Sequence, residues 1–522
     1  MYEVVFLRAG TIPRTTSGKI QRHACRAAWQ AGSLPALARS RGEEPASGLE
    51  SWATAGTSFD RQALLGLPPE ARLEAVSAAL RHAVARCARL APARIDLDRS
   101  LAAQGIDSLA VIELQERLEL DFEITLPAAD LFAERSLALI AADIANRAVV
   151  PSDQPVLPAA VDLRAAGAEP SLPPSRGQRA LWFLAGLAPQ SCAYHLTAAA
   201  SLPPPLDIAA LGRVWALLTQ RHPQLRATFN TVAGEPWQRI GEGPGLSSVL
   251  EDATTWTEAQ LAARIEEVAY RPFDLAQGPL LRVALFQRPG GEHAMVFVVH
   301  HIVADLWSLA VLSRELGALY DAELGEDSVT LPPLALSYSD YVQRQEELLG
   351  GERGERLWTY WRDRLAGAPL ETSLLPDRTR PPVQAFRGAA HTLRLATGLS
   401  RRLSSLAQER GDTLFMVLLA AFQALLWRYT GSEDLVVGSP VAGRGAAGLG
   451  GVVGYFVNPL ALRTDLSGNP TSEQLLSRVH ATVLEALSHQ ELPFPVLAQR
   501  LQPERDLSRS PLFQAMFAWP RT

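Results

Sequence analysis

The spacing of the apolar positions divides the chain into stretches of different character. Leu73, Val76, Leu80, Val84 and Cys87 recur every three or four residues, which predicts an amphipathic helix over 73–87. A loop carrying Pro92, Asp96, Asp98 and Gly105 follows, and a second helix is expected from Ser108, turning Leu109, Ile112 and Leu118 inward. A third period, Leu137, Ile140 and Ile144, closes a small helical bundle. Beyond about residue 175 the pattern alternates. The β-branched and aromatic run 296–299 predicts a buried strand and 309–320 a helix. Further helices are expected over 399–408 and 414–427, and another strand over 435–437, so this body reads as mixed α/β.

Two stretches break these periods. Residues 31–69 are rich in Gly, Pro, Ser and Glu, and 150–174 hold repeated prolines among small residues; both read as linkers. With 522 residues the chain is expected to hold several domains. Hydrophobic residues at 47% and charged ones at 20% suit ordinary packed cores. The net charge of −6, without a dense basic block, argues against a nucleic-acid partner. Cys25, Cys87 and Cys192 match neither a zinc site nor a disulfide framework, so a reducing cytoplasm fits. The most apolar stretches, 294–299 and 414–427, are too short or interrupted to span a bilayer.

Candidate chemistry sits in each part. Gly105-Ile106-Asp107-Ser108-Leu109 places a serine where a helix begins. A plain N-cap would use Ser in that way, and the same position also favours a phosphate in the field of the helix dipole. Lys19 is the single lysine among 49 basic residues and lies on a Gly-containing loop, a mobile point cation suited to carboxylate or phosphate oxygens, or simply a solvated side chain. His300 and His301 end the expected strand at 296–299, with Asp305 four residues later. Three readings stand: a hydrogen-bonded core pair, a metal site that the alternation of strand side chains disfavours, and acyl transfer with one histidine as acid–base group.

The stretch 71–147, centred on Gly-x-Asp-Ser-Leu at 105–109, resembles the acyl and peptidyl carrier domains of modular synthases. That resemblance implies that Ser108 carries 4′-phosphopantetheine, installed by a phosphopantetheinyl transferase. Asp107 before the serine is more similar to acyl carriers than to peptidyl carriers. Residues 11–22, Thr-Ile-Pro-Arg-Thr-Thr-Ser-Gly-Lys-Ile-Gln-Arg, resemble the closing loop of fatty acyl-AMP ligases, in which the lysine matching Lys19 reaches the acyl-phosphate oxygens. Only the tail of such an enzyme is expected here, with Met1 an artificial or internal start, so the fragment is not expected to adenylate alone and depends on an upstream adenylating core.

The His300-His301-x-x-x-Asp305 pattern resembles the condensation domains of nonribosomal peptide synthetases. Further motifs of that family follow in order: Ser175-Arg176-Gly177-Gln178-Arg179, Arg221-His222-Pro223-Gln224-Leu225-Arg226, Tyr338-Ser339-Asp340-Tyr341, Val453-Gly454-Tyr455-Phe456-Val457-Asn458, His489-Gln490-Glu491-Leu492-Pro493-Phe494 and Arg505-Asp506-Leu507-Ser508-Arg509-Ser510-Pro511-Leu512. Leu306 stands where the family usually has Gly, and the chain stops at Thr522, before the usual end of the second lobe. The implied fold class is multidomain: an α-helical four-helix-type carrier bundle plus an α/β condensation domain of two chloramphenicol-acetyltransferase-like lobes. The expected division is an adenylating tail at 1–32, a linker at 33–70, a carrier at 71–148, a linker at 149–172 and a condensation domain at 173–522, its lobes meeting near 350.

The same resemblance implies the chemistry. A tunnel between the lobes has His301 near its centre, with His300 in support. Asp305 is a structural partner for an arginine, with Arg444 the candidate. A donor acyl thioester on Ser108 meets an aminoacyl thioester on a downstream carrier, and an amide forms, His301 serving as base or as positioning group. The order of segments implies that a fatty acyl group is joined to the first amino acid of a lipopeptide. A CoA-dependent acyltransferase of the same superfamily and an inactive domain serving as a docking platform are the alternatives.

Overall fold

The computed structural model describes residues 3–7, 36–41, 67–88, 91–101, 135–147, 171–325 except 233 and 244, 331–371, 388–445, 448–501 and 508–519, with single positions between 104 and 131 and at 374. The helical bundle is built as the apolar period requires. Helix α1 (Pro69–Ala88) packs against α2 (Leu137–Arg147), with Val76, Leu80, Val84, Leu137, Ile140 and Ile144 almost wholly buried. Leu114, Leu118, Phe122 and Leu131 complete that core. Leu73 departs from the expected stripe: it is 39% exposed, in a first turn that begins beside the exposed residues 67–70. Leu109 and Ile112 lie outside the described residues.

The body has two lobes. Its first lobe is framed by a six-stranded sheet. The strands are β1 (Glu3–Leu7), β2 (Ala36–Arg41), β4 (His195–Leu202), β7 (Ser247–Asp252), β8 (Leu281–Gln287) and β9 (His293–His300), in the order β2-β1-β4-β9-β8-β7. Among these six described strands only β7 and β8 run parallel. A smaller sheet holds β3 (Ser171–Leu172), β6 (Glu235–Ile240) and β5 (Ala227–Val232) in that order. Helices α3 (Arg176–Leu187), α4 (Ile208–Arg221), α5 (Glu258–Ala269) and α6 (Leu306–Glu323) belong to this lobe. Its core gathers Val214, Trp215, Leu218, Phe297, Val299 and Leu312, the inward face of β9 meeting α4 and α6. Two stretches expected to be linkers contain strands, β2 and β3. Edge strands form through backbone hydrogen bonds, so a polar, small-residue sequence hides them.

Helices α7 (Tyr338–Gly350) and α8 (Glu352–Leu365) lead into the second lobe. There α9 (Thr397–Arg410), α10 (Leu414–Thr430), α11 (Ser472–Ser488) and α12 (Phe494–Leu501) surround the antiparallel pair β10 (Asp434–Val441) and β11 (Asn458–Asp465). Trp361, Leu419, Val437, Val479 and Leu512 form its core. The loop between β10 and β11 leaves this lobe and packs on the first: Leu449, Val452 and Phe456 share an apolar cluster with Leu336, Tyr338 and Val342. Among the described residues no single helix is long and apolar enough to cross a membrane.

Candidate active site at the junction of the lobes

Strand β9 ends at His300, and His301 opens the turn that leads to α6. The start of the turn is anchored twice. His301 donates its backbone N–H to the Tyr194 carbonyl at 2.7 Å, and the Ile302 carbonyl accepts from Gln178 Nε2 at 2.9 Å. Gln178 is held in turn by Gln224, and Gln224 by Gln238, a buried row of three amides under the turn.

The two histidines are neighbours in sequence and opposites in chemistry. His300 is 5% exposed and its Nδ1 accepts the Ile302 N–H at 3.1 Å. Burial, with His195 and His301 nearby, pushes its pKa down to about 3, so it stays neutral and serves as a packed prop. His301 Nδ1 lies 2.8 Å from the Ala304 carbonyl. A carbonyl can only accept, so the proton sits on Nδ1 and the lone pair on Nε2. Burial lowers the His301 pKa, while Asp305 and the Ala304 carbonyl work against that fall. A neutral imidazole with its lone pair on Nε2 can take a proton or accept a hydrogen bond from an attacking amine.

Asp305 has no free oxygen to offer. It caps α6, Oδ1 accepting from Ser308 N and Ser308 Oγ, each at 2.7 Å, while Oδ2 accepts from Phe456 N at 3.2 Å. Arg444 pairs with it at 3.0 Å, both side chains fully enclosed. The guanidinium also donates to the Leu449 and Val452 carbonyls and lies 3.9 Å from the centre of the Phe456 ring. The ion pair nominated from sequence is therefore formed, and it joins the lobes.

Further bonds cross the same joint, among them Trp307 Nε1 to Gly450 O, Gly454 N and Arg444 Nη2 to Ser308 Oγ, and Tyr338 Oη to Tyr455 O. Leu306, at the family's usual Gly, is the first residue of α6 and 41% exposed. Its helical backbone has no need of glycine.

Ser108 and Asp107, like Lys19, lie outside the described residues. Sequence reasoning gave no role to Gln178, Ser308, Trp307, Tyr338 or Tyr455. Their signal was present, since all but Ser308 and Trp307 stand within the ordered motifs and those two closely follow Asp305, but their roles depend on partners more than a hundred residues away.

Comparison with known proteins accounts for this geometry. The family described as "Condensation domain" matches residues 169–520. The chain belongs to the condensation-domain family. A second family, "Phosphopantetheine attachment site", matches residues 78–144. Malpinin synthetase of Mortierella alpina is 34% identical over 521 residues, covering 99% of this chain and 6% of that one. The isonitrile lipopeptide synthase of Mycobacterium tuberculosis is 37% identical over 435 residues, covering 81% and 17%. Among solved structures, the X-domain in its complex with OxyB from teicoplanin biosynthesis superposes with a TM-score of 0.61 at 33% identity, covering 67% of this chain and 78% of that one. The chain thus spans a small part of the curated relatives' length. It holds a carrier domain, which bears 4′-phosphopantetheine, and a condensation domain of a modular nonribosomal peptide synthetase, the catalyst of amide formation.

Proposed function

We propose that this condensation domain transfers an acyl group held on Ser108 to the amine of an amino acid on a downstream carrier, and that the acyl group is a fatty one. The observation that carries the reading is the Nε2 lone pair of His301, left there by the Nδ1 contact with the Ala304 carbonyl, on a turn held by Tyr194 of the first lobe and by Phe456 of the second. His301 accepts a proton from the amine as its nitrogen bonds to the thioester carbonyl carbon. The carbon–sulfur bond then breaks and the proton passes to the departing sulfur. The phosphopantetheine arm supplies the thioester. His300 props the turn, and the Asp305–Arg444 pair holds the lobes in register.

The fatty-acyl element rests on residues 11–22 and Asp107, with Lys19 as the remnant of an adenylating loop, and the mycobacterial lipopeptide synthase is a relative with a compatible product name. An upstream adenylating core and a phosphopantetheinyl transferase are the implied partners, in the cytoplasm.

The test is a single-turnover reaction followed by intact mass. The chain is loaded at Ser108 from a synthetic fatty acyl-pantetheine donor and offered an aminoacyl carrier, with His301→Ala and an aminoacyl-loaded sample alongside. Acyl transfer slowed about 10²–10⁴-fold by the substitution is expected, general-base help being of that size. An unloaded Ser108 sinks the carrier role, and indifference to His301→Ala supports the docking-platform alternative. Preference for the aminoacyl load overturns the fatty-acyl assignment alone.

A further inference from the structure

The His301 ring is held by the carbonyl of its own turn on one side and by a residue of the other lobe on the other. Tyr455, on the loop between β10 and β11, stands edge-on to the imidazole with ring centres 5.0 Å apart and planes at 89°. Its own position is fixed from two directions. Tyr338 Oη donates to the Tyr455 carbonyl at 2.7 Å and accepts from Ser175 Oγ, 2.9 Å away at the start of α3. Gly177, in the first turn of α3, leaves the room the ring occupies: a Cβ there would lie 2.6 Å from Tyr455 Cε1 and 2.9 Å from Cδ1. Gly177 has no positive φ, so space rather than conformation calls for glycine.

We propose that Tyr455 is a positioning residue for His301, delivered by the second lobe, which sets the ring's orientation and keeps water from it when the lobes are docked. This rests on His301 being the acid–base group. Among the described residues, the charged and titratable neighbours of His301 are few. They are His300 from β9, Asp305 on the same turn and already paired with Arg444, Tyr194 ahead of β4, and Tyr455 itself. Burial raises both tyrosine pKa values, so neither brings a charge, and Tyr455 acts through packing. Its contact with His301 forms only while the loop from the second lobe reaches the first, which ties the state of the imidazole to lobe docking.

The experiment uses the phosphopantetheinylated chain and two readouts. One is the NMR titration of the His301 ring, assigned by its absence in His301→Ala. The other is the single-turnover transfer rate between pH 5 and 8. Tyr455→Phe keeps the ring and should match the parent in both. Tyr455→Leu should slow transfer by about 10- to 100-fold, the scale on which a small misplacement acts. It should also move the His301 titration, and with it the acid limb of the rate profile, to higher pH as water reaches the ring. Gly177→Ala, which displaces the tyrosine from a different helix, should reproduce both effects and add nothing in the Tyr455→Leu background.

A slowed rate with an unmoved titration would reduce Tyr455 to a structural residue and overturn the proposal. Multiplying effects of Gly177→Ala and Tyr455→Leu would overturn it too. If His301→Ala is as fast as the parent, the base role of His301 falls, while the titration still decides whether Tyr455 governs the ring.

Discussion

Asp305 and Asp412 are both buried acids at the entry to a helix, and they hold different things together. Asp412 lies just before α10 and stays within the second lobe. Its carboxylate binds His480 Nδ1 at 2.7 Å and Arg410 Nε at 3.0 Å, partners that are each about a quarter exposed. Asp305 reaches across the domain instead, to Arg444 and Phe456, and none of that pair meets solvent. Water can compensate the first cluster when a partner is lost and cannot reach the second. A buried pair is weak evidence of stability as such, but breaking it leaves a charge stranded.

The comparison is broken most directly by removing each acid. Asp305→Ala should cost about 3–5 kcal/mol in urea unfolding, because Arg444 is left enclosed without its counter-charge, and should abolish acyl transfer as the lobes lose register. Asp412→Ala should cost less, about 2 kcal/mol, the range for hydrogen bonds to a charged group, and leave the transfer rate unchanged. Equal losses, or a transfer defect in Asp412→Ala, would mean that the joint between the lobes is not special.

Titration of the turn sharpens the contrast. His300 has its pKa pushed down to about 3 in the folded chain, against about 6.5 when unfolded. Below that unfolded value the unfolded chain takes up a proton that the folded chain refuses. Stability should therefore fall as the pH drops from 6.5, by up to about 1.4 kcal/mol per unit from this group. His300→Asn, which keeps an acceptor for Ile302 N and does not titrate there, should flatten that slope in unfolding curves at pH 7, 6 and 5. The smallest effect is expected at the departure from the family pattern. Leu306→Gly should change stability by no more than about 1 kcal/mol, the helix-propensity cost of glycine, and leave the transfer rate within about threefold. A large gain in rate would show that the leucine obstructs the site.

Local periodicity made much of the architecture legible. The strand expected over 296–299 is the centre of β9, and the helices expected over 309–320 and 414–427 lie within α6 and α10. Those segments are strongly apolar or strictly periodic, so burial and local preference agree. Leu73 misled for a related reason: spacing says which residues share a face, not where along its length the helix stops being covered. The strands β2 and β3 were missed because their pairing is made by the backbone and leaves little trace in side-chain pattern.

The order of motifs from Ser175 to Leu512 determined the family, the two-lobed class and the nomination of His301 and Asp305, since residue types and spacings survive in a linear string. Tertiary structure alone decided how those residues divide the work. The His301 tautomer follows from a carbonyl three residues on, which only the turn's folded shape brings within 2.8 Å. His300 was expected in support, and its burial at the end of β9 supplies the reason. Tyr455 and Gly177 meet across 278 positions of sequence, and nothing local marks one as the space for the other. Such contacts depend on where two lobes dock, and docking is set by the summed packing of both rather than by any stretch of chain.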